Sequence, residues 1–194
     1  MHLQLIAITP DAEALIARCA RVSHRSEGTG LESDRELIRR LIKLGHESVL
    51  EHAVATFAIS GVSRACANQL TRHRLASFVQ ESQRYVDVRD RPLVRPPSFS
   101  DEDWQEARRL YADALTLYEG LVARGVARED ARFVLPIGAA TQLVLTANFR
   151  ELRHILRLRL ARSAQWEIRE LGRRMLTILL DHVPSVFEDL GGES

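Results

Sequence analysis

The sequence contains few of the residues on which covalent and metal-based frameworks depend. Among its 194 residues are only two cysteines, Cys19 and Cys66, which fall in helix-like segments and lack the spacing of zinc ligands. Neither a disulfide framework nor a zinc site is therefore expected, and a reducing compartment such as the cytoplasm fits. Long apolar runs are also missing: the opening MHLQLIAI is too short to cross a membrane, lacks a basic leader and alternates like a strand.

Lysine is nearly absent, because Lys43 is the only one of the 27 basic residues that is not arginine. The formal net charge of +1 argues against a protein that grips long nucleic acid through its overall field. Residues 150–174 nevertheless hold eight arginines against three acids, and arginine binds phosphate and carboxylate through two parallel hydrogen bonds. Genomic base composition and anion binding both explain this bias, and the sequence leaves the two explanations open.

Hydrophobic periodicity predicts one α+β domain over residues 1–194, mostly helical with a small central β-sheet. Strands are predicted at His2–Ile8, at Ala53–Ser60, which Gly61 ends, and in TQLVLTA (141–147). A glycine-bearing loop is predicted at 26–33, and an irregular crossing at the proline-rich 89–98. Helices are predicted from Pro10, over 34–44, from Val62 to about Arg74, from a cap at Ser100 to about Val122, from Asn148 to about Arg159, and from about Ala164 to Leu180.

Gln69 and His73 fall on the apolar side of the helix predicted from Val62, together with Cys66 and Leu70. Buried polar groups need partners, because an unpaired one costs roughly 1–3 kcal/mol. Either these two side chains bond to neighbouring backbone groups, or they face a bound molecule for which the small residues around Cys66 leave room.

Arg159 projects from the middle of the apolar face of the helix predicted from Asn148, whereas Arg150, Arg153 and Arg157 are predicted on the opposite face. A guanidinium in apolar surroundings needs a partner, since taking an ion out of water is costly unless it is compensated. That partner is either a buried carboxylate of the protein or an anionic or enolisable ligand.

The segment GHESVLEH (45–52) combines two histidines with two acids but does not fit a metal site. His46 and His52 stand six positions apart, about 240° around a helix, whereas paired ligands on one face need a spacing of three or four. Ser82 has no dedicated base or elbow motif that would make it a nucleophile. No metal site is predicted, and the Ser82 hydroxyl is expected to donate to a ligand.

Several blocks resemble, in order, those of the flavin-dependent thymidylate synthases. The segment RHRLASFVQESQRYV (72–86) is similar to the family signature, Arg-His-Arg followed after seven residues by Ser, through Arg72, His73, Arg74 and Ser82. Further blocks are CARVSH (19–24), GHESVLEH, ARFVLP (131–136), LTANFRELRH (145–154) and SAQWEIR (163–169). The resemblance covers nearly the whole chain.

This resemblance implies an enzyme that methylates dUMP to dTMP, with methylenetetrahydrofolate as carbon donor and NADPH-reduced FAD as hydride donor. It also implies a homotetramer with shared active sites and no nucleic-acid polymer or membrane as partner. The residues that the resemblance implies for FAD binding are His46, Ser48, Glu51, Arg72, His73, Arg74, Gln80, Asn148, Arg150 and His154. Of these, His46 and Glu51 are expected near the flavin or the folate. The implied dUMP residues, with Arg159 as the candidate catalytic residue, are Gln69, Arg72, Gln80, Ser82, Arg84, Arg132 and Arg159.

Three positions depart from the family pattern. Val79-Gln80 replaces a common Asn-Glu, which removes one flavin contact, and Asn68 replaces a common arginine, which predicts weaker binding of the dUMP phosphate. The residues alone also leave open two other classes of protein: a nucleotide- or RNA-binding module that uses the arginine-rich segment, and a structural homo-oligomer with buried arginine pairs.

Overall fold

The computed structural model describes residues 1–23, 25 and 28–191. His24, the last residue of the CARVSH block, and Ser26 and Glu27 of the predicted loop lie outside the described residues. The described chain has an α+β fold that is 55% helical with a four-stranded antiparallel sheet. The predicted fold class, mostly helical with a small sheet, is therefore confirmed. None of the described helices is both long and apolar enough to cross a membrane.

The strands pair in the order β1-β2-β4-β3, with bounds β1 (His2–Ile8), β2 (Val54–Ser63), β3 (Ser77–Gln80) and β4 (Ala140–Asn148). The α-helices of the described chain are α1 (Ala12–Val22), α2 (Leu31–Lys43), α3 (Arg64–Leu70), α4 (Asp101–Ala123), α5 (Arg128–Ala131), α6 (Phe149–Leu160), α7 (Trp166–His182) and α8 (Pro184–Phe187). Short 3-10 segments cover Glu47–His52, Arg132–Val134 and Glu188–Leu190.

The chain divides into two compact units, each built from non-consecutive segments. The first comprises Met1–His2, Ile59–Gln69 and Val79–Leu143, and Val88, Tyr118 and Ala131 lie at the centre of an apolar cluster within it.

The second unit comprises Leu3–Ala58, Leu70–Phe78 and the chain from Val144 onwards. The rings of Phe149 and Phe187 meet edge to face in its core, with centroids 5.5 Å apart. These apolar contacts fix the ends of α6 and α8, because fully buried aromatic side chains contribute a large share of core energetics.

Two helix starts match their sequence signals. Ser100 and Asp103 form a capping box at α4, each side chain accepting a hydrogen bond from the other residue's backbone N–H. The Asn148 side chain accepts from the backbone N–H of Glu151 and so caps α6. Both helices therefore begin where their caps predict.

The predictions around Gly61 are wrong in two respects. Gly61 does not end the strand: β2 continues to Ser63, and Gly61 has φ +68°, with a Cβ there falling 3.3 Å from the backbone nitrogen of Met1. A glycine inside a strand here marks close approach of another backbone. The helix predicted from Val62 to Arg74 is limited to α3, so Arg72, His73 and Arg74 lie in the turns that follow it.

Candidate functional site

His73 is the centre of a buried polar cluster in the second unit. Its side chain is held inward by the turns after α3, and only 5% of the residue is exposed. The Nε–H of Arg159 donates to His73 Nε2 over 3.0 Å, and His73 Nδ1 lies 3.5 Å from Glu151 Oε1. The ring of His154 meets that of His73 edge to face, at a centroid distance of 5.6 Å. The inward direction predicted for His73 is thus confirmed, although the predicted helix is not.

The cluster favours a neutral imidazole at His73. Burial, followed by the charges of Arg159 and His154, lowers the pKa of His73 to about 4. Burial also raises the pKa of Glu151 above its ordinary value, against a smaller opposing effect of His154. Neutral His73 can accept a hydrogen bond, which a protonated imidazole cannot. Arg72 and Arg74 are exposed on either side of it in sequence.

The arginines of α6 bind carboxylates brought from elsewhere in the second unit. Arg150 Nη1 lies 2.5 Å from Glu51 Oε1, and Arg157 Nη2 lies 2.6 Å from Glu47 Oε1. Both acids belong to the 3-10 segment Glu47–His52. Much of the arginine excess seen in the sequence is therefore matched by the protein's own acids.

The helical wheel predicted Arg153 on the face of α6 opposite the apolar one. This prediction is wrong, because Arg153 is fully buried. Its two terminal nitrogens each lie 2.6 Å from an oxygen of Asp189, and it also donates to the Val186 carbonyl. Its Nε lies 3.4 Å from Glu47. Burial opposes ionisation of Asp189, but the hydrogen bonds and charge of Arg153 outweigh it and lower the pKa of Asp189.

A cavity of about 600 Å³ in the second unit is lined by α1, α2 and the start of the 3-10 segment Glu47–His52. His46 and Ser48 contribute to its wall, as do Arg21 and Arg40 among apolar side chains. Arg21 Nη1 is 2.5 Å from Asp34. His46 and Ser48, which line this cavity, belong to the implied FAD set. Within the described part of the chain, His73, His154 and Arg159 do not contribute to the wall of this cavity.

In the first unit, Glu129 brings together two arginines of the implied dUMP set. Arg84 Nη2 lies 2.6 Å from the Glu129 carboxylate, and Arg132 Nε donates to the Glu129 carbonyl over 3.0 Å. Ser82 belongs to the same region, since its Oγ accepts from the backbone N–H of Arg84. Gln80 donates to Thr141 Oγ1 over 3.3 Å. Glu129 was not predicted from the sequence, although it lies three residues before Arg132.

The short helix α3 carries three further residues of interest in the first unit. Gln69 is half-buried and Asn68 is exposed. Arg64, which the sequence did not single out, is half-buried, and burial followed by the charge of Arg132 lowers its pKa. This cationic surrounding is suited to an anion.

The histidines of GHESVLEH lie at the two ends of the 3-10 segment Glu47–His52. Within residues 1–23, 25 and 28–191, no three His, Cys, Asp or Glu side chains are grouped as a metal ion would need. Cys19 and Cys66 are both free thiols.

Comparison with known proteins places these features in one family. The thymidylate synthase complementing protein family matches residues 4–185. A flavin-dependent thymidylate synthase of Geobacter sulfurreducens is 43% identical over 98% of this chain and 87% of its own length. One of Haloarcula marismortui is 38% identical over 97% of this chain and 94% of its own length. One of Thermococcus onnurineus is 45% identical over 75% of this chain, an alignment that spans 62% of that relative.

The chain therefore belongs to the thymidylate synthase complementing protein family, and the resemblance drawn from the ordered sequence blocks is confirmed.

Proposed function

We propose that this chain is a flavin-dependent thymidylate synthase that converts dUMP to dTMP, with methylenetetrahydrofolate as carbon donor and NADPH as reductant of FAD. The observation that carries the proposal is the family match over residues 4–185. Relatives named flavin-dependent thymidylate synthase also align with nearly the whole chain. The clusters around His73 and Glu129 supply the polar and cationic groups that such ligands need.

The cavity in the second unit is compatible with part of FAD. Its volume of about 600 Å³ falls within the roughly 300–1,000 Å³ usual for ligand pockets. Apolar side chains suit a flat ring, while Arg21 and Arg40 suit a pyrophosphate. His46 and Ser48 would hold FAD there, and the remaining proposed FAD contacts are Glu51, Arg72, His73, Arg74, Gln80, Asn148, Arg150 and His154. When bound, FAD supplies the hydride chemistry, while the protein supplies orientation and fixed charge.

The arginine pair around Glu129 is suited to the phosphate of dUMP. Arg84 is about half exposed in its pair with Glu129, so it can exchange that carboxylate for a phosphate at small cost. Arg132 and the Ser82 hydroxyl would add donors to the same anion. Gln69, Arg72 and Gln80 complete the proposed dUMP set and present neutral or cationic donors.

Arg159 is the proposed catalytic residue. C5 of uracil is a weak nucleophile, so the reaction needs fixed donors where negative charge develops on the pyrimidine. Arg159 is half-buried, which strengthens its field relative to an exposed arginine. The Nε–H of Arg159 donates to His73, and this hydrogen bond sets the orientation of the guanidinium plane.

The charge and geometry of Arg159 are separated by Arg159→Lys. Lysine keeps the charge but loses the planar fork, so we expect kcat to fall roughly 100-fold with dUMP saturating. The matched control is Arg162→Lys at an exposed position, which should turn over normally. Unchanged turnover in Arg159→Lys would show that the role is misassigned.

We also propose a cytoplasmic homotetramer with active sites shared between subunits. Supporting this assembly are large apolar side chains with high exposure in the isolated chain, namely Leu75, Val79, Tyr85, Phe133 and Ile137. Light scattering should give four times the mass of one 22.0 kDa chain. A monomeric mass at micromolar concentration would reject the assembly.

Flavin absorbance tests the function itself. Purified protein mixed with FAD should retain the flavin through gel filtration, bleach with NADPH without oxygen, and recover its colour only when dUMP and methylenetetrahydrofolate are both added. A nucleic-acid-binding module or a purely structural oligomer predicts no flavin retention. Protein that ignores FAD would therefore refute the proposal.

A further inference from the structure

Glu151 is a buried acid that the sequence-based site assignment does not use. It lies in the first turn of α6, where an exposed acid would already suit the helix dipole. Its residue is only 4% exposed, and burying a carboxylate is costly unless a partner compensates it. Within the described residues its one ion-pair distance is the 3.5 Å from Oε1 to His73 Nδ1. The burial of Glu151 therefore requires an explanation that involves His73.

The contacts of His73 fix which of its nitrogens carries the proton. The Nε of Arg159 always bears hydrogen and lies 3.0 Å from His73 Nε2, so Nε2 must be the acceptor. A neutral imidazole has one N–H, which then sits on Nδ1 and faces Glu151. The order of groups is thus Arg159 Nε–H, His73 Nε2, His73 Nδ1–H and Glu151 carboxylate.

We propose that Glu151 is a positioning residue for Arg159: its carboxylate holds His73 in the Nδ1–H tautomer, so that Nε2 remains available to orient the Arg159 guanidinium. The inference rests on the proposed function for the role of Arg159 in turnover, but the tautomer itself is independent of it. In the opposite tautomer the Nε2–H and the Nε–H of Arg159 would oppose each other, and the guanidinium would turn away.

The charges around His73 are consistent with this role. Within the described part of the chain, the charged and titratable groups in contact with His73 are Arg159, His154 and Glu151, all on α6. Burial, followed by the charges of Arg159 and His154, keeps the imidazole of His73 neutral. Glu151 is the one group of the three whose carboxylate oxygen lies beside Nδ1, at 3.5 Å, and this placement favours a proton on Nδ1.

Glu151→Met tests the proposal, because methionine keeps the length of the side chain but removes the carboxylate acceptor. We expect kcat and kcat/KM for dUMP to fall together by roughly tenfold, about the loss of one net hydrogen bond that acts in the transition state. Glu151→Gln retains an amide oxygen as acceptor and should recover most of that loss. The control Glu170→Met changes a surface acid paired with Arg174 on α7 and should leave both parameters unchanged.

Nitrogen NMR of selectively labelled histidine, assigned with His73→Gln, gives a readout that needs no flavin and no turnover. The wild-type protein should show the Nδ1–H tautomer, Glu151→Met should shift to Nε2–H or a mixture, and Arg159→Met should stay Nδ1–H because the Glu151 carboxylate still lies beside Nδ1. A wild-type protein with the Nε2–H tautomer would overturn the inference. Loss of the Nδ1–H preference in Arg159→Met would also overturn it, and this variant remains informative if Glu151→Met does not fold. A wild type that shows Nδ1–H but makes no dTMP would refute the proposed function and leave the tautomer assignment intact.

Discussion

Glu129 holds two arginines of the first unit, one through its carboxylate and one through its carbonyl. In the proposed function, Arg84 must leave this carboxylate to reach the phosphate of dUMP. The pair is half exposed on both sides, and such pairs contribute at most about 1 kcal/mol. Glu129 therefore competes weakly with the substrate.

Glu129→Gln removes that competition and keeps the backbone carbonyl that Arg132 uses. We expect KM for dUMP to fall by up to roughly fivefold, with kcat unchanged, in steady-state assays at fixed ionic strength. Glu106→Gln, an exposed acid on α4, is the control and should have no effect. A higher KM in Glu129→Gln would mean that Glu129 positions Arg84 instead of competing for it.

The lowered pKa of His73 predicts a stability that depends on pH. Unfolded histidine titrates near 6.5 and folded His73 near 4, so between these values the unfolded chain binds more protons. The stabilisation that depends on neutral His73 is therefore fully present above about pH 6.5. It is lost progressively as the pH falls toward 4, so the free energy of unfolding decreases over this range.

Urea denaturation of the wild type and of His73→Gln, at equal protein concentration from pH 7.5 to 4, isolates this contribution from the other acids. The difference in unfolding free energy should move against the wild type as the pH falls. A difference that stays constant across the range would contradict the burial of a neutral imidazole.

At the scale of elements, the 3-10 segment Glu188–Leu190 and α8 are held to α6 by Arg153. This guanidinium is fully buried, and losing its partner Asp189 would leave it with the Val186 carbonyl and a longer contact to Glu47. The neighbouring Glu188 instead pairs with Arg39 at the surface.

Asp189→Ala should lower the free energy of unfolding by roughly 2 kcal/mol, because the buried Arg153 loses two charged hydrogen bonds, while the half-exposed side of Asp189 and the remaining Glu47 contact limit the loss. Glu188→Ala, at the adjacent position, should cost less than about 1 kcal/mol. Chemical denaturation measures both variants. Similar losses in the two would show that the Arg153 contact contributes no more than a surface pair.

Elements with a strong period or a cap could be predicted, whereas those set by distant contacts could not. Ser100 and Asn148 mark the starts of α4 and α6, because their side chains accept hydrogen bonds from backbone N–H groups of the first turn. No glycine or proline stands between 62 and 74, so nothing local indicated that α3 would end at Leu70. The four-residue β3 is too short to carry a pattern.

The same division applies to the candidate site. His73 could be assigned an inward direction because it falls on the apolar side of the helix predicted from Val62, although that helix ends at Leu70. Arg153 was misplaced because its partner Asp189 lies 36 residues away, a distance that no helical wheel includes. Glu151 and Glu129 carry no motif of their own, and their roles depend on contacts made only after folding.

At the scale of the whole molecule, the α+β class followed from periodicity, while the family followed from ordered blocks that reach from CARVSH to SAQWEIR. Assembly as a tetramer stays a prediction, and so does the sharing of active sites. The exposed apolar residues, such as Leu75 and Phe133, give it physical support. The division into two units is not visible in the sequence, because each unit is built from separate segments.

The most direct test of the account is the chemical fate of dUMP. Protein loaded with FAD and given NADPH, methylenetetrahydrofolate and dUMP should form dTMP over many turnovers by chromatography, and omission of any one component should stop it. Flavin-loaded protein that leaves dUMP unchanged with all components present would contradict the central claim.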